Sequence, residues 1–372
     1  MRAVLISSAY ADPAARAKLR ALVAQGAVIT AAAPAEWLPR GAVAPAPVAR
    51  GEDGGVRIVP IPVRGPLDEP EDLSWDRKAL ARLLSESRPD VIQVEAEADS
   101  SLAATVAGIA ERLKLPLVLS AWESVPREHS FLERRRRRTA LEAASGLIGG
   151  NTLATRLLEQ ERPGIPSATI RPLGVTPPLE VRHEPDAQWL RIGFASRLMP
   201  EKGLDTLFRA CARIIGFWSL AVAGTGPAQE QLEALAAQLG IAARVFWLGA
   251  MDPAQMADVW PRLDCFVLPS RATSTWVEVQ GRPLLDAMAH GVAVVGARTG
   301  AIPEIVGPAG LLVPPDDVDA LHAALQQLHD GRDGARRLGT LARQRLMQEF
   351  TDDVLAARTL AFWRAILGRA GG

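Results

Sequence analysis

The stretch that decides the fold reads WVEVQGRPLLDAMAHG and runs from Trp276 to Gly291. Pro283 suits the first turn of a helix, because its φ angle is fixed near the helical value and its missing N–H would be unpaired there. Gly291 suits the left-handed position just beyond a helix end. The stretch therefore predicts a short helix that begins near Gly281.

This predicted helix has an apolar face and a polar face. By the 3.6-residue period, four side chains share the apolar face: Leu284, Leu285, Ala287 and Met288. Asp286 and His290 fall on the polar face, so Asp286 can contact a ligand. Free amides at a helix start favour a bound phosphate, and carboxylates such as Glu278 accept hydrogen bonds from sugar hydroxyls. Glu278 and Asp286 therefore predict a nucleotide-sugar site; the alternative is that Asp286 is only a favourable charge near a helix N-terminus.

Two cations, Arg197 and Lys202, follow the predicted strand LRIGFAS. A nucleoside diphosphate leaving group gains negative charge as its bond to the sugar breaks, so fixed cations stabilise the transition state more than the ground state. Arginine can grip two phosphate oxygens at once, whereas lysine acts as a point charge. The pair predicts a diphosphate clamp, and the alternative is two solvated charges in a loop.

Short apolar, β-branched runs alternate with helical patterns along the chain, which predicts parallel sheets flanked by helices and an α/β fold class. The strands predicted in the first half are MRAVLIS, GAVITAA, VRIVPIPV, DVIQVE, LPLVLSA and GLIGG. Those predicted in the second half are LRIGFAS, WSLAVAG, ARVFWLG, CFVLPS, VAVVGA and GLLVPP. Between the halves, residues 176–188 (TPPLEVRHEPDAQ) are rich in proline and lack a period, which predicts a linker with a domain boundary near Pro185.

Several of these segments resemble signatures of the retaining family 4 glycosyltransferases of the GT-B fold. EVQGR followed by DAMA, from Glu278 to Ala289, resembles the E-x7-E signature, with Gln280 in place of the usual Phe and Asp286 in place of the second Glu. RLMPEKG, which ends at Gly203, resembles the G-R-L-x-x-x-K-G segment, with Ser196 in place of its first glycine. TGAIPEIV (299–306) and AGTGP (223–227) resemble the family's G-G-x-P-E and G-x-G-P turns.

The resemblance implies two doubly wound Rossmann-like domains that face each other across a cleft. Residues 1–180 would form the acceptor-binding domain and residues 181–350 the domain that binds the nucleotide-sugar donor. Residues 351–372 would form a helix that crosses back to the first domain. In such sheets ligands bind outside the carboxyl ends of the strands, and closure of two domains excludes water.

Site residues follow from the same resemblance. Glu278, beside the donor sugar and phosphate, would be catalytic together with the clamp pair Arg197 and Lys202. Asp286 would hold the ribose hydroxyls. The other donor-binding residues implied are Gly281, Arg282, Gln280, Leu284, Gly249 and Trp247, the last two at the strand end FWLG beside the nucleotide base.

On the acceptor side, VEAEADS (94–100) and AWES (121–124) resemble two strand-end segments of one bacterial branch of the family. They imply that Glu97, Trp122 and Glu123 line the acceptor site. Many relatives place a histidine close to Trp122, and the nearest one here is His129. The glycine-rich turn that usually follows the first strand is absent from SSAYAD.

Composition and motifs exclude several other classes. The chain of 372 residues carries 42 basic and 42 acidic residues, so bulk charge does not predict nucleic-acid binding. Its two cysteines, Cys211 and Cys265, permit neither a disulfide scaffold nor a zinc cluster. Gly224-Thr225-Gly226 is followed by Gln229 where a dinucleotide-binding motif needs its third glycine. We expect no metal and no cofactor, because N-capping of a helix explains Asp317-Val318-Asp319 more simply than Mg²⁺ binding.

The N-terminus lacks the pattern of a signal peptide, and no run reaches the roughly 18 apolar residues of a spanning helix. We therefore expect a protein that is soluble or at most peripheral on the inner face of the membrane, and the two cysteines favour a reducing cytoplasm. Five consecutive arginines, Arg134 to Arg138, could attract an acidic membrane surface. The alternative is a solvated helix, because five consecutive residues spread around a helix instead of forming one face.

The function implied is retaining, metal-independent transfer of a sugar from a nucleoside-diphosphate sugar to a glycan, lipid or small-molecule acceptor. The leaving phosphate would take the acceptor proton on the same face, so no protein nucleophile is expected. The alternative is a degenerate GT-B protein that binds a nucleotide sugar or glycan without catalysing transfer. Asp286, Gln280 and the missing glycine-rich turn favour this alternative, whereas Arg197, Lys202 and Glu278 favour the enzyme.

Overall fold

A computed structural model of the protein describes residues 1–39, 42–181 and 188–370. The chain divides into two compact units. The first is Met1–Gly174 together with the C-terminal segment from Asp352, and the second is Val175–Thr351. The boundary predicted near Pro185 lies outside the described residues. The cleft between domains stays a prediction.

The strands, in chain order, include all twelve that the sequence predicts. They are β1 (Arg2–Ile6), β2 (Val28–Pro34), β3 (Glu36–Trp37), β4 (Ala46–Pro47), β5 (Gly51–Asp53), β6 (Val56–Ile61), β7 (Val63–Arg64), β8 (Ser74–Trp75), β9 (Val91–Glu95), β10 (Leu117–Ala121), β11 (Gly146–Gly149), β12 (Ser167–Thr169), β13 (Trp189–Ala195), β14 (Phe217–Ala223), β15 (Val245–Gly249), β16 (Cys265–Leu268), β17 (Ala293–Ala297) and β18 (Leu311–Val313). Six of them are missing from the prediction, namely β3, β4, β5, β7, β8 and β12, each of two or three residues.

The α-helices follow the strands in the alternating pattern that the sequence predicts. They are α1 (Ala17–Ala24), α2 (Arg77–Ser87), α3 (Ser101–Leu113), α4 (Phe131–Ala143), α5 (Thr152–Glu161), α6 (Leu204–Cys211), α7 (Gln229–Gln238), α8 (Pro253–Ala257), α9 (Arg282–Ala289), α10 (Ile302–Val306), α11 (Val318–Asp330), α12 (Arg332–Glu349) and α13 (Asp352–Ala370). The α/β fold class is therefore confirmed.

The sheet of the first unit has the strand order β12-β11-β10-β9-β1-β2-β6-β5. Its pairs are parallel except β5 with β6. The central strands β1, β9 and β10 are buried almost throughout, as continuous apolar runs in a parallel sheet require. Helices cover both faces and form two separate apolar clusters with the sheet. The strand order reverses at β1, which pairs with both β2 and β9.

The sheet of the second unit has the order β15-β14-β13-β16-β17-β18, and its pairs are all parallel. Here the strand order reverses at β13, which pairs with β14 on one side and β16 on the other. In open α/β sheets such a reversal leaves a crevice at the carboxyl ends of the strands, where ligands bind. The loops after β13 and β16 are therefore the first place to search for a site.

The C-terminal helix α13 belongs to the first unit, where it packs against α1. Its Trp363 is fully buried and donates a hydrogen bond of 2.9 Å from Nε1 to the side-chain oxygen of Gln93 on β9. Gln93 in turn donates to Glu95, which also accepts from Lys18 Nζ at 3.2 Å. All four side chains are buried, so each polar group depends on its partner in this network.

Replacing Trp363 with Phe tests this network. The change removes the indole N–H and leaves the buried Gln93 oxygen without that donor, which costs about 1–3 kcal/mol before any loss of packing. We expect the melting temperature to fall by about 2–12 °C, given about 2–4 °C per kcal/mol for a unit of this size. The matched control is Trp189→Phe, at a partly exposed tryptophan, which we expect to shift it by less than about 2 °C. Equal shifts in the two variants would contradict a structural role for the network.

Candidate functional site

The two loops that leave β13 and β16 bring together residues far apart in the sequence. The chain after β13 passes through Arg197 and ends in a single 3₁₀ turn, Pro200–Lys202. The chain after β16 passes through Ser270 and reaches Glu278 just before α9. Because β13 and β16 are adjacent parallel strands, both loops start at the same edge of the sheet.

Lys202 and Glu278 form an ion pair at this edge. Lys202 Nζ lies 2.8 Å from Glu278 Oε2, and both side chains are largely buried. The same carboxylate accepts hydrogen bonds from Ser270 Oγ at 3.3 Å and from the backbone N–H of Gly281 at 3.1 Å. Lys202 Nζ also lies over the ring of Trp276, 4.4 Å from its centroid, a distance at which a cation is attracted to the ring face. Two residues predicted to be catalytic are therefore in direct contact.

The amide of Gly281 was expected to be free for a phosphate, and the structure differs here. Its N–H is used by Glu278, because the carboxylate turns back toward the start of α9. Gly281 is the N-cap of α9, with φ 53°, and no side chain caps the helix. Glu278 thus holds both the lysine and the helix entrance.

The turn before α10 fixes the backbone of Glu278. The amide of Ala301 donates to the carbonyl of Glu278 at 2.7 Å. At the preceding residue, Gly300, an added Cβ would lie 2.1 Å from that same carbonyl oxygen, and φ is +55°. Only glycine permits this approach, so the TGAIPE turn sets the position of Glu278.

Arg197 is exposed in the loop after β13, five residues before Lys202. Within the described part of the chain its guanidinium has no hydrogen-bond or ion-pair partner. The loop backbone is held by the turn after β14, because Leu198 N–H donates to the carbonyl of Thr225. An added Cβ at Gly224 would lie 1.8 Å from the carbonyl oxygen of Ser196, which explains the glycine in that turn. A rigid backbone thus presents an arginine whose donors are open to a ligand.

Helix α9 confirms the two predicted faces. Its apolar residues are at most 1% exposed: Leu284, Leu285, Ala287, Met288 and Ala289. Asp286 is partly exposed, and its Oδ1 accepts from Arg282 Nε at 2.9 Å. Burial raises the pKa of Asp286 above its ordinary value, although Arg282 and His290 act in the opposite direction. His290 bonds through Nδ1 to the Asp286 carbonyl and stacks on Trp260.

The remaining residues implied for the donor site differ in how far they are exposed to solvent. Gln280 is exposed beside Gly281, whereas the Leu284 side chain lies in the apolar core and is not open to a ligand. Gly249 ends β15 with φ 70° and has open space where a Cβ would be. Trp247 on the same strand is half-buried, with its ring edge-to-face against Phe208.

In the first unit, Glu97 lies after β9 and accepts the backbone N–H groups of Trp122 and Glu123, at 3.2 and 3.3 Å. Burial raises the pKa of Glu97 to about 7, and the nearby Glu123 charge adds to this, while the two amides oppose it. The three residues implied for the acceptor side are therefore in one cluster, at the carboxyl edge of β9 and β10. The carboxyl group of Glu97 is poised to change protonation near neutral pH.

Beside this cluster lies a charged group that the sequence did not identify as a unit. His129 has Nδ1 3.1 Å from Asp99 Oδ2 and Nε2 3.6 Å from Glu123 Oε1. Arg127 contacts the same two carboxylates, and Arg137 contacts Glu123. Asp99 lies in the VEAEADS segment, but its partners follow 28 or more residues later, so spacing alone does not join them.

The Asp-x-Asp sequence has the capping role that was predicted. Asp317 is the N-cap of α11, and its Oδ1 accepts the N–H of Ala320 at 2.8 Å. Among residues 1–39, 42–181 and 188–370, no group of three or more His, Cys, Asp or Glu side chains is arranged to hold a metal ion. The expectation that no metal is needed stays a prediction.

Gly300→Ala tests the dependence of Glu278 on the TGAIPE turn. The new Cβ must displace the Glu278 carbonyl and adopt a positive φ, so we expect a loss of stability of about 3 kcal/mol or more. Gly240→Ala is the control, because Gly240 has a similar φ of +69° and open space around its Cβ position. There we expect only about 1 kcal/mol from backbone strain. Equal drops in melting temperature would show that the contact with Glu278 does not matter.

Glu97→Gln tests the raised pKa. An acid whose folded pKa exceeds its unfolded pKa binds protons more tightly when folded, so its contribution to stability is present at low pH and is lost as pH rises from about 4.5 to about 7. Glutamine does not ionise. We therefore expect wild type to lose up to about 3 kcal/mol relative to the variant between pH 4.5 and 8, measured by thermal melting across that range. A difference between the two proteins that does not change with pH would contradict the raised pKa.

The residues of this site lie in a segment that is similar to known proteins. Residues 190–330 match the family model described as glycosyl transferases group 1. An MMP alpha-(1->4)-mannosyltransferase from Mycolicibacterium hassiacum is 30% identical over 250 residues, 66% of this chain and 59% of that protein. A GDP-mannose-dependent alpha-(1-6)-phosphatidylinositol monomannoside mannosyltransferase from Mycobacterium tuberculosis is 32% identical over 176 residues, 45% of this chain and 46% of that protein. The chain thus spans about half the length of these curated relatives.

Among solved structures, sucrose-phosphate synthase from Thermosynechococcus elongatus is similar over 99% of this chain and 100% of its own. The TM-score is 0.71 and the sequence identity 19%, so this likeness shows the fold alone. Within the described part of the chain, none of the helices combines the length and the apolar character needed to span a membrane. The matched segment contains Arg197, Lys202, Glu278 and Asp286 and covers both sides of the site built above. Residues 190–330 belong to the glycosyl transferases group 1 family, and the chain has the GT-B fold.

Proposed function

We propose that the protein is a retaining, metal-independent glycosyltransferase that moves mannose from GDP-mannose to an acceptor hydroxyl. The observation that carries the proposal is the Lys202–Glu278 ion pair beside the exposed Arg197, at the point where the strand order of the second sheet reverses. The mannose donor is proposed from the relatives, two of which are named as mannosyltransferases.

In the proposed complex the diphosphate lies against Arg197 and Lys202. Arg197 has a guanidinium open to solvent, which can bind two phosphate oxygens at once. The Lys202 ammonium carries three N–H donors, and Glu278 occupies one direction only. A phosphate oxygen can take another, so the cation remains held by Glu278 while it stabilises the charge that develops on the leaving group.

Asp286 is proposed to accept hydrogen bonds from the ribose hydroxyls. Its side chain is partly exposed and lies on the polar face of α9, opposite the buried leucines. The pair with Arg282 on the preceding turn fixes its orientation and opposes the effect of burial on its pKa. Gly249, with open space in place of a side chain, suits a flat base at the neighbouring strand end.

The transfer step needs no side chain as nucleophile in this proposal. The bond from mannose to the phosphate oxygen breaks, the acceptor oxygen attacks from the same face, and the acceptor proton passes to the leaving phosphate. Glu278, which is already bound to Lys202, Ser270 and the Gly281 amide, is proposed to keep the cation next to the breaking bond.

The decisive experiment combines thermal shift with turnover. GDP, UDP, ADP and their sugars are added with and without Mg²⁺, because a ligand that binds only the native state raises the melting temperature. We expect GDP and GDP-mannose to stabilise the protein without metal, and GDP to be released on addition of acceptor. Stabilisation with no release of GDP for any acceptor would favour the alternative, a protein that binds a nucleotide sugar without transfer.

Lys202→Ala tests the role of the cation directly. Because Lys202 is proposed to act on charge that develops only in the transition state, we expect kcat to fall by about 10²–10³ with a smaller change in KM. Lys78→Ala, at an exposed lysine on α2, is the control and should leave kcat unchanged. Equal kcat values in Lys202→Ala and wild type would disprove the clamp.

A further inference from the structure

The first unit contains a cavity of about 690 Å³, bordered by α4, α5 and the loop after β10. It shares four residues with the acceptor-side cluster and the charged group beside it: Glu123, Arg127, His129 and Arg137. Its lining is rich in charge. Five arginines line it: Arg127, Arg134, Arg137, Arg138 and Arg162. The carboxylates of Glu123, Glu142 and Glu161 line it too.

Two of the arginines are already neutralised. Arg137 is buried and binds Glu161 through Nε, at 2.8 and 3.0 Å to its two oxygens, and it also pairs with Glu123. Arg127 pairs with Asp99 at 2.6 Å and with Glu123 at 3.0 Å. These pairs build the wall of the cavity and offer little charge to a ligand.

The other three arginines have no carboxylate partner within the described residues. Arg134 donates only to the backbone carbonyl of His129, at 2.8 Å. The guanidinium of Arg138 makes no such contact within the described chain. Arg162 donates from Nη2 to the backbone carbonyl of Glu142 at 3.5 Å, and its Nε is buried with no hydrogen-bond partner there. Glu142 is the carboxylate in the lining that is left to balance these three cations, so the charge that remains after the ion pairs is positive.

The run of five arginines is therefore divided by the helix period. Arg134, Arg137 and Arg138 stand three and four residues apart on α4 and share the cavity face. Arg135 and Arg136 do not line the cavity. The five arginines therefore do not form one basic patch: three line the cavity and two lie outside it.

Three guanidinium groups without a carboxylate partner, around one cavity, fit a phosphate ester better than a single carboxylate. Each guanidinium group is planar and can donate to two oxygens at once. A phosphate ester carries one or two negative charges and has enough oxygens to accept from more than one guanidinium group. The volume is far larger than a phosphate group and falls in the ordinary range for organic ligands. The ligand is therefore expected to carry an organic group as well.

We propose that this cavity binds the phosphate of a phosphate-bearing acceptor. Glu123, which lines the cavity, follows β10 at the carboxyl edge of the first sheet, where ligands of such sheets bind. The identification of the ligand as the acceptor rests on the proposed function. The binding of a phosphate ester rests on the arginines alone.

The test compares two double variants of one helix. R134Q/R138Q removes two unpaired charges from the cavity, and R135Q/R136Q removes two charges from the same helix outside it. All four side chains are exposed or partly exposed, so both variants are expected to fold, and circular dichroism and thermal melting check this. Binding is measured by calorimetry at 150 mM NaCl with myo-inositol 1-phosphate, and with myo-inositol as the uncharged probe.

We expect wild type and R135Q/R136Q to bind myo-inositol 1-phosphate within about twofold of each other, and R134Q/R138Q to bind it about tenfold or more weakly, since hydrogen bonds to charged groups are the stronger ones. Sedimentation with phosphatidylcholine vesicles, with and without phosphatidylinositol, shows whether the phosphate comes from a lipid. If R134Q/R138Q loses binding to the phosphatidylinositol vesicles but not to the soluble phosphate, and R135Q/R136Q loses neither, the site binds a lipid phosphate.

Three results would overturn the proposal. The first is an equal loss of affinity for myo-inositol 1-phosphate in both double variants, which would indicate an effect of general surface charge. The others are binding of myo-inositol as tight as that of its phosphate, and no binding by wild type of either myo-inositol 1-phosphate or the phosphatidylinositol vesicles. The proposed function is measured separately by the response to GDP. A protein that binds the phosphate probe through the cavity but shows no turnover would retain the phosphate site while losing the transferase assignment.

Discussion

The ion pair between Lys202 and Glu278 is the contact on which the second unit's site depends. It joins the loop after β13 to the loop after β16, which are 76 residues apart in the sequence. A carboxylate this buried needs a partner, because an unpaired buried charge is costly. Here the partner is a lysine whose Nζ also lies over the face of Trp276. Both the position of the cation and the entrance to α9 therefore follow from one carboxylate.

Two close backbone approaches keep this pair in place. Gly300 lets the turn before α10 reach the carbonyl of Glu278, and Gly224 lets the turn after β14 reach the carbonyl of Ser196. Each approach fixes one of the two loops to a rigid neighbour. As a result, backbone contacts fix the main-chain positions from which the side chains of Arg197 and Glu278 extend. Such rigidity suits a site whose charges must be in place before the reaction.

The sequence predicts the elements better than their contacts. Apolar β-branched runs and the faces of α9 are local patterns, so the main strands and the burial of Leu284 and Met288 follow from them. Lys202 contacts Glu278 because β13 and β16 are neighbours in the sheet. The periodicity of a local sequence does not predict which strands are neighbours. The two-residue strands β3 and β4 were missed because two residues cannot display alternation. The amide of Gly281 was expected to be free, and only the reach of the Glu278 side chain shows that it is occupied.

The arginines of α4 show why a count of charges is a poor guide to function. Five consecutive cations predict either a membrane surface or a solvated helix if each is treated alike. The structure distinguishes them by their partners: Arg137 is neutralised by Glu161 and Glu123, whereas Arg134 and Arg138 retain their charge beside a cavity. Attraction to a surface depends on the sum of the charges and weakens with salt, but recognition of one phosphate depends on which donors lack a carboxylate partner and converge on one cavity. On α4, Arg134 and Arg138 differ from Arg135 and Arg136 because they line the cavity, where donors from several arginines can reach the same phosphate.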